Sequence, residues 1–395
     1  MGKKKSYKTD LIRGGLNRSN FNETSESLFL TSGFVYDNAE EAELCFNEKK
    51  RQFMYSRFGN PTVEAFQKKL ALLEGAECCW ATSTGMSAVF TIFMSQLKAG
   101  DRIVSSRALF GSCHYIITEL LPRYGVEVVL VDGTNLSKWK KALEKKTKLV
   151  FFETPSNPCL EIIDIFNVSK LAHENGAKVI VDNVFASPIL QKPIKLGADI
   201  VMYSATKHID GQGRVLGGAI LGSQKFCDKI IKPFIRNTGP SISPFNAWIL
   251  LKSLETLELR VNQQVKNAEV IVDFLNNHNK VAKVIYPLSK KFKQNSLAKK
   301  QMLSGGTVIS FELKFNKQKN IKKETFKFIN KLEMIDISNN LGDTKTLITH
   351  PSTTTHHRLS NSEKKNLGIK DNLLRLSVGL EDIDDIINDI KMGLI

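Results

Sequence analysis

The residues with the clearest chemical potential surround Lys207, where an apolar run over 198–203 enters a polar, glycine-rich turn. Asp182 stands at the end of a second apolar run. A lysine and an aspartate at the ends of neighbouring strands suit pyridoxal phosphate, because the amine can hold its aldehyde as a Schiff base and the carboxylate can pair with its pyridinium nitrogen. A lysine at a strand end is more often a solvated loop residue, so this interpretation depends on whether other groups converge there.

Hydroxyl groups and a glycine turn provide a candidate phosphate site. Ser204 and Thr206 flank the lysine, and the segment 81–86 turns at Gly85 before a helix-forming run. Free backbone N–H groups and the helix dipole attract anions at such a turn. A Ser-Thr-Gly turn alone is more often a simple helix cap, but the two hydroxyls predicted near the same strand ends favour a phosphate site.

Two arginines lie where they could bind an anion. Tyr55 and Arg57 belong to the turn Tyr55-Ser-Arg-Phe-Gly-Asn-Pro-Thr62, and a guanidinium suits bidentate recognition of phosphate. Taken alone, this segment is more often a surface turn. Arg375 interrupts the apolar run 373–378, so it lies either on an exposed face or against an anion, and the residues alone favour the exposed face.

The elements that must position these groups alternate between strand and helix. Short runs rich in Val and Ile occur at 102–105, 126–131, 148–153, 178–182 and 199–203. Helix-length segments between them include 136–145 and 165–175. This pattern predicts an α/β fold with a mostly parallel central sheet covered by helices on both faces. Ligands bind beyond the carboxyl ends of such strands, where the predicted site residues stand.

The flanking regions have different patterns. Residues 1–60 are loop-rich and lack a core pattern, whereas 247–277 has a helical period and predicts one or two helices. Predicted strands at 281–286, 306–313 and 373–378 then mix with helices around 324–331 and 382–392. We therefore predict an N-terminal arm over 1–60, a cofactor-binding α/β domain over 61–250 and a smaller α+β domain over 251–395.

Composition restricts the class of protein. The 395 residues are 42% hydrophobic and contain no apolar run as long as a membrane span. The basic N-terminus lacks the apolar core of a secretory signal, and the six cysteines lack metal-ligand spacing. These features predict a cytoplasmic protein with reduced thiols and no metal. The net charge of +16 could indicate nucleic-acid binding, but the lysines are dispersed and no nucleic-acid-binding motif appears, which favours a general surface bias.

The motifs together resemble the γ-subfamily of pyridoxal-phosphate enzymes that act on cysteine, homocysteine and methionine precursors. The similarity runs from about residue 9 to the end and includes the patterns Tyr55-Ser-Arg-Phe-Gly-Asn-Pro-Thr, Ser83-Thr-Gly-Met, Glu153-Thr-Pro-Ser-Asn-Pro, Val181-Asp-Asn, Ser204-Ala-Thr-Lys, Asn340-Leu-Gly-Asp and His350-Pro-Ser-Thr-Thr-Thr-His. Within the family, the runs 206–214 and 340–346 most resemble the O-succinylhomoserine sulfhydrylases. The resemblance implies the fold of type I pyridoxal-phosphate enzymes, and homodimers usually paired into homotetramers.

The resemblance also implies a role for each candidate residue. Lys207 would hold the cofactor and carry protons, and Asp182 would pair with the ring nitrogen. The implied cofactor-binding residues are Gly85, Met86, Ser204 and Thr206, joined by Phe110 on the ring and by Tyr55 and Arg57 from a neighbouring subunit. The implied substrate-binding residues are Asn157, Asn340 and Arg375.

Three positions depart from the family pattern. Phe110 replaces a tyrosine common over the ring, so it can stack but has no phenol to exchange a proton. Ser112 stands where methionine-degrading lyases often have a cysteine, and Asn340 replaces a common serine. The acid role proposed for the tyrosine therefore cannot apply here, and the lyase interpretation is weakened.

The implied reaction is γ-replacement on an O-acylhomoserine, with O-succinylhomoserine and sulfide giving homocysteine and succinate. Cystathionine γ-synthase, with cysteine as the nucleophile, and a γ-lyase remain alternatives because they share the cofactor residues. A non-catalytic nucleic-acid-binding protein on the same fold is a further alternative, supported by the charge and opposed by the presence of Lys207 and Asp182. The expected partners are small-molecule substrates and further copies of the chain, with no nucleic acid and no membrane.

Overall fold

The computed structural model describes residues 6–16, 18–315 and 320–395; the basic start of the predicted arm, residues 1–5, lies outside them. The strands are β1 Cys78–Thr82, β2 Arg102–Ser106, β3 Glu127–Val131, β4 Leu149–Glu153, β5 Lys178–Asp182, β6 Ile200–Ser204, β7 Gly218–Gly222, β8 Val281–Ile285, β9 Val308–Leu313, β10 Asp336–Ile337, β11 Leu347–Thr349 and β12 Leu373–Ser377. The α-helices are α1 Tyr7–Arg13, α2 Ala39–Phe46, α3 Pro61–Glu74, α4 Gly85–Met94, α5 Gly111–Tyr115, α6 Leu121–Arg123, α7 Leu136–Ala142, α8 Ile165–Glu174, α9 Ser187–Leu190, α10 Gln224–Phe226, α11 Lys232–Thr238, α12 Pro244–Leu254, α13 Leu257–Asn277, α14 Asn295–Gln301, α15 Ile321–Asn330, α16 Asn361–Asn366 and α17 Ile383–Leu394.

The chain divides into two compact units, each built from several segments. The first unit consists of 1–96, 202–206 and 215–255, and the second consists of 97–201, 207–214 and 256–395. The chain therefore passes from the second unit to the first within β6 and returns immediately before Lys207. The predicted arm and domain boundaries at 60 and 250 stay a prediction.

In the first unit, β1 pairs with β7 in antiparallel register. Helix α3 begins after Asn60, whose side-chain oxygen accepts a hydrogen bond from the backbone N–H of Thr62 at 2.9 Å, and Pro61 occupies its first position. The helix ends at Glu74 and is followed by Gly75, whose φ of +83° suits a glycine cap. Strand β7 was not predicted, because its five residues begin and end with glycine and resemble a loop.

An ion cluster formed by Glu26, Lys69, Lys252 and Glu255, of which Glu26 and Lys69 are buried, ties residues of the predicted arm to α3 and α12. The Lys69 Nζ atom lies 3.2 Å from a Glu26 oxygen and 3.5 Å from Glu255, and its side chain is fully buried. Lys252 Nζ lies 3.0 Å from Glu26 and 2.5 Å from Glu255. The Trp248 indole N–H also donates to the carbonyl oxygen of Glu26 at 2.9 Å. This part of the arm is therefore anchored on its own chain.

The second unit contains β2 to β5, four of the five strands that the sequence predicted, and the beginning of β6. Strand β4 pairs in parallel with β2 and β5, and β2 pairs in parallel with β3. Every residue of β2 and β4 is buried, as expected of a sheet covered on both faces. The five predicted runs agree with β2 to β6 to within one residue at either end. These strands and the helices between them confirm the α/β fold class.

The C-terminal part of the second unit is a five-stranded sheet in the order β10-β11-β12-β9-β8, antiparallel except between β10 and β11. Side chains of α13, α15 and α17 share its buried core. The predicted helical region 247–277 forms two helices, α12 and α13, separated at residues 255 and 256. Strand β10 was not predicted because it has two residues, both exposed, and so no apolar pattern.

No helix in the described ranges is long and apolar enough to cross a membrane. Within the same ranges, no three or more potential metal ligands are grouped so that they could hold an ion. All six cysteines carry free thiols.

Candidate active site

Gly85 and Ser204 come into close contact in the first unit. Helix α4 begins at Gly85, after Thr84, whose hydroxyl accepts a hydrogen bond from the backbone N–H of Ser87 at 3.0 Å. A Cβ atom added at Gly85 would lie 2.6 Å from the Cβ of Ser204, closer than two carbon atoms can pack, so glycine is needed for this approach. The start of α4, where helix geometry favours an anion, therefore lies against the carboxyl end of β6.

Thr206 and Met86 extend the same two segments. The Thr206 hydroxyl accepts a hydrogen bond from the backbone N–H of Gly217 at 3.0 Å and lies 3.3 Å from its carbonyl oxygen. Met86 is the second residue of α4 and is half-buried. The structure therefore places the four predicted phosphate residues at one helix start and one strand end of the first unit.

Tyr55 and Arg57 lie together elsewhere in the first unit. The Arg57 guanidinium carbon lies 5.3 Å from the centre of the Tyr55 ring and 4.8 Å from the centre of the Phe58 ring. The guanidinium also donates to the carbonyl oxygen of Arg236. Tyr55 is 42% exposed. Aromatic rings and a carbonyl oxygen hold the guanidinium without neutralising its charge, which leaves it suited to an anion.

Lys207 opens the second group of predicted residues, all in the second unit. Its Nζ atom lies 2.5 Å from the side-chain oxygen of Asn340. Burial, together with the positive charge of Arg375, lowers the pKa of Lys207 to about 8. A larger fraction of the amine is therefore neutral near pH 7 than for a solvated lysine, and the neutral amine is the form that can react with an aldehyde.

Arg375 is buried and holds two other predicted residues. Its side chain donates to the Asn157 side-chain oxygen at 3.0 Å and to the backbone oxygens of Asn339 and Asn340 at 2.8 and 3.1 Å. Among the described residues, its buried Nε–H has no hydrogen-bond partner. The exposed-face interpretation of Arg375 is wrong, because β12 lies between β11 and β9 with all its residues buried. Burial lowers the pKa of Arg375 to about 10, so the guanidinium keeps its charge at neutral pH and can receive a carboxylate.

Asp182 ends β5, and its register partner on β4 is Glu153. The Asp182 carboxylate accepts a hydrogen bond from the backbone N–H of Val184 at 3.1 Å, and burial raises the pKa of Asp182 to about 7. Glu153 accepts hydrogen bonds from the backbone N–H groups of Phe110 and Asn157, both at 2.9 Å. Glu153 therefore joins Phe110 and Asn157, the predicted ring-facing and substrate-binding residues.

Two residues of this group received no role from the sequence. Glu153 was visible only as a charged residue that ends a wholly buried strand. His356 is buried, and its Nε2 atom has no hydrogen-bond partner among the described residues. Burial, with a smaller contribution from Arg375, lowers the pKa of His356 to about 4, so its ring is neutral near pH 7. The only sign in the sequence that could have identified His356 was its position at the end of the family pattern 350–356.

The raised pKa of Asp182 predicts how the stability of the cofactor-free protein depends on pH. An aspartate in an unfolded chain ionises near pH 4, whereas the pKa of Asp182 in the folded protein is about 7. Between these values the folded state binds more protons, so the contribution of Asp182 to stability decreases as the pH rises. We expect Asp182→Asn, which cannot ionise, to gain in Tm relative to the unsubstituted protein from about pH 4 to 7. Thermal unfolding of both cofactor-free proteins across this range is the measurement, and parallel pH profiles would contradict the assignment.

The residues present fit pyridoxal phosphate. Lys207 offers a half-buried amine with a lowered pKa, and Asp182 offers a buried carboxyl group with which a pyridinium nitrogen could pair. Gly85 allows the start of α4, where backbone N–H groups favour a phosphate, to approach Ser204 closely. Arg375 has an unused buried donor for a carboxylate.

Comparisons with known proteins agree with this chemistry. The family described as Cys/Met metabolism PLP-dependent enzyme matches residues 8–395. An O-succinylhomoserine sulfhydrylase of Mycobacterium tuberculosis is 51% identical over 383 residues, which cover 97% of this chain and 94% of that relative. An L-methionine gamma-lyase of Fusobacterium nucleatum is 41% identical over 396 residues, which cover 99% and 98% of the two chains.

A solved structure extends the agreement to the fold. A putative O-acetylhomoserine (thiol)-lyase from Campylobacter jejuni, which carries an N′-pyridoxyl-lysine-5′-monophosphate, has a TM-score of 0.92 and 30% identity, covering 98% of this chain and 99% of that one. The family match spans nearly the whole sequence and includes every predicted site residue. The chain therefore belongs to the Cys/Met metabolism family of pyridoxal-phosphate-dependent enzymes.

Proposed function

We propose that this enzyme catalyses γ-replacement, in which sulfide displaces succinate from O-succinylhomoserine and gives homocysteine, a precursor of methionine. The observation that carries the proposal is the 51% identity, over 97% of the chain, with a relative named O-succinylhomoserine sulfhydrylase. In the reaction the Cγ–O bond of the ester breaks and a Cγ–S bond forms. One proton of hydrogen sulfide stays on the new thiol and the other leaves with succinate.

Pyridoxal phosphate would be held by the residues that the family resemblance assigns to it. Gly85, Met86, Ser204 and Thr206 would receive its phosphate, and Asp182 would face its ring nitrogen. Lys207 would hold its aldehyde carbon, and Phe110 would stack on the ring. When bound, pyridoxal phosphate acts as an electron sink that stabilises negative charge next to the substrate amine.

Arg375 and Asn157 bind the substrate carboxylate. Among the described residues, the Nε–H of Arg375 has no hydrogen-bond partner, and the Asn157 side-chain oxygen accepts a hydrogen bond from the guanidinium at 3.0 Å. A carboxylate held by a buried guanidinium is bound strongly and in a defined orientation. This contact fixes the α-carbon of the substrate relative to the lysine.

Lys207 moves the protons. Its Nζ atom takes the proton from the substrate α-carbon and can return one to the carbon chain, and a pKa of about 8 suits this work near neutral pH. The Asn340 side-chain oxygen, 2.5 Å from Nζ, accepts a hydrogen bond from the amine and orients it. Phe110 has no ionisable proton, so we assign the proton transfers to Lys207.

A γ-lyase is the second candidate. It is favoured by the 41% identity with the L-methionine gamma-lyase of Fusobacterium nucleatum over 99% of the chain. The binding residues above would serve elimination equally well. Phe110 and Ser112 weigh against it, because they replace the tyrosine and the cysteine that such lyases often carry.

Substrate preference tests the proposed reaction. With O-succinylhomoserine as the amino-acid substrate, we expect kcat/KM to be at least about tenfold higher for sulfide than for cysteine, since a small nucleophile needs no binding groups for a second amine and carboxylate. Product analysis for homocysteine, cystathionine and oxobutyrate, with O-acetylhomoserine run in parallel, is the measurement. A preference for cysteine would identify a cystathionine synthase, and rapid oxobutyrate release without a nucleophile would identify a lyase.

We further propose that the enzyme works in the cytoplasm as a homodimer with shared active sites, paired into a homotetramer. Large apolar side chains of the arm are exposed in the single chain, among them Phe21 at 92%, Val35 at 88% and Leu30 at 67%. Exposed apolar residues in such numbers are typical of a protein interface. Tyr55 and Arg57 of one subunit would then reach the cofactor phosphate of its neighbour.

Mixed dimers test the shared site. In the proposed dimer each site takes Lys207 from one subunit and Arg57 from the other. A dimer of one Arg57→Ala subunit and one Lys207→Ala subunit therefore contains one intact site and one site that lacks both residues. We expect co-expressed and separately tagged heterodimers to recover about half of the wild-type activity. As a control, Lys207→Ala paired with Arg375→Ala should recover none, because both residues come from the same subunit. Absence of recovery in the first pair would show that each subunit builds its own site.

A further inference from the structure

Glu153 is a buried acid to which the mechanism above gives no task. It is 2% exposed at the carboxyl end of β4. Its two oxygens are used separately: Oε1 accepts the backbone N–H of Asn157, and Oε2 accepts the backbone N–H of Phe110, each at 2.9 Å. One carboxyl group therefore joins the segment that begins α5 to the turn that follows β4.

The position of Glu153 is electrostatically costly. Burial and the neighbouring Asp182 raise its pKa well above the ordinary range, and the two backbone N–H groups and Arg375 offset only part of this effect. Apolar residues fill the rest of β4, whose residues are all buried. Burying a carboxyl group is costly in either protonation state, and a well-packed apolar side chain often stabilises a fold equally well. A carboxyl retained under these conditions indicates a role beyond packing.

The two groups that Glu153 holds belong to different tasks. Phe110 is the residue assigned to the cofactor ring, and Asn157 is assigned to the substrate carboxylate. Asn157 also fixes Arg375 through its side-chain oxygen at 3.0 Å. A displacement of either oxygen of Glu153 would therefore move a cofactor contact or a substrate contact.

We propose that Glu153 is a positioning residue that sets the placement of Phe110 relative to that of Asn157, and through Asn157 that of Arg375. The proposal rests on the proposed function, because it uses the roles assigned there to Phe110 and Asn157. This role requires two acceptor oxygens, each within hydrogen-bond distance of one of the two backbone N–H groups. Glutamine has nearly the same shape but one acceptor oxygen, so its NH₂ group would face one of the two backbone N–H groups.

The test compares the holoenzymes of wild type, Glu153→Gln and Glu153→Asp with a matched control, Glu312→Gln. Glu312 is likewise a buried acid on a strand of the second unit, and its carboxylate pairs with Lys370 at 2.8 Å. The readouts are Tm, the cofactor dissociation constant, the position of the visible cofactor band, and kcat and KM for each substrate. The cofactor dissociation constant and the position of the cofactor band can be measured whatever reaction the enzyme catalyses.

For Glu153→Gln we expect KM for the amino-acid substrate to rise about tenfold or more, the cofactor band to shift and the cofactor to bind more weakly. The KM for sulfide should change little, because neither Phe110 nor Asn157 is assigned to it. Glu153→Asp keeps two acceptor oxygens and should recover part of the loss. Glu312→Gln should lower Tm while leaving KM and the cofactor band unchanged.

A Glu153→Gln enzyme with a lowered Tm but wild-type KM values, cofactor affinity and spectrum would overturn the proposal and leave only a structural role. The same conclusion would follow if Glu153→Asp were no better than Glu153→Gln on every readout. Failure of the wild type to convert O-succinylhomoserine with sulfide would refute the proposed function instead. The positioning role would then be decided by cofactor binding and by KM for the amino acid that the wild type does convert.

Discussion

Replacing Lys207 with alanine is expected to reduce kcat/KM by about 10⁴-fold or more, since it removes the group that moves protons in the reaction. The same change removes the amine that links the cofactor to the protein, so the visible absorption of the purified holoenzyme should be lost or displaced. The structural basis is the placement of Nζ, which lies 2.5 Å from the Asn340 side-chain oxygen in a half-buried setting that lowers the pKa of Lys207 to about 8. Absorbance spectra and steady-state kinetics on the same preparation are the measurements.

The matched control for Lys207 is Lys327→Ala. Lys327 is a 58% exposed lysine on α15 that pairs with Glu324, so its loss should leave both the spectrum and the kinetics unchanged. A Lys207→Ala protein that remained yellow and active would remove the basis for assigning the cofactor to this lysine.

Replacing Arg375 with alanine is expected to have the second largest effect. Truncating one member of a buried, hydrogen-bonded charge pair costs about 3–4 kcal/mol, so kcat/KM for O-succinylhomoserine should fall roughly 10²- to 10³-fold. The loss should appear mainly as a higher KM, because the carboxylate is bound in both the ground state and the transition state. Arg375→Lys should recover little of it, since lysine keeps the charge but lacks the planar fork of donors.

A substrate analogue without the α-carboxylate distinguishes a loss of carboxylate binding in Arg375→Ala from a structural effect of the substitution. If Arg375 receives the carboxylate, Arg375→Ala should be about as active as the wild type on this analogue while losing activity on the amino acid. Equal losses on both compounds would mean that Arg375 only supports the loop whose carbonyl oxygens, at 339 and 340, it holds.

The central part of the fold was predictable because its strands are short, continuous and apolar. The runs 178–182 and 199–203 have no competing pattern, and parallel strands buried on both faces produce this type of sequence. Strand β7 and the two-residue β10 were missed for the opposite reason. The first is bounded by glycines and the second is exposed, so neither carries an apolar pattern of its own.

The chemistry of the candidate site was less evenly predictable. Lys207 and Asp182 could be found from their strand-end positions, and the resemblance added Asn157 and Arg375. The sequence could not reveal that Arg375 is buried, because its environment is set by the strands that pair with β12 on either side, and the sequence does not show this pairing. Glu153 was missed because its two partners are backbone N–H groups, which any residue type would present.

The ion cluster beneath the arm limits how the N-terminus can be trimmed or fused. Lys69 is fully buried and relies on Glu26 for much of its compensating charge, so a truncation that removes residue 26 would leave an ammonium group in the interior with Glu255 alone, 3.5 Å away. An unpaired buried charge is among the most damaging single defects in a folded protein. A shortened version that starts before residue 20 keeps this partner, and a purification tag attached there avoids the problem altogether.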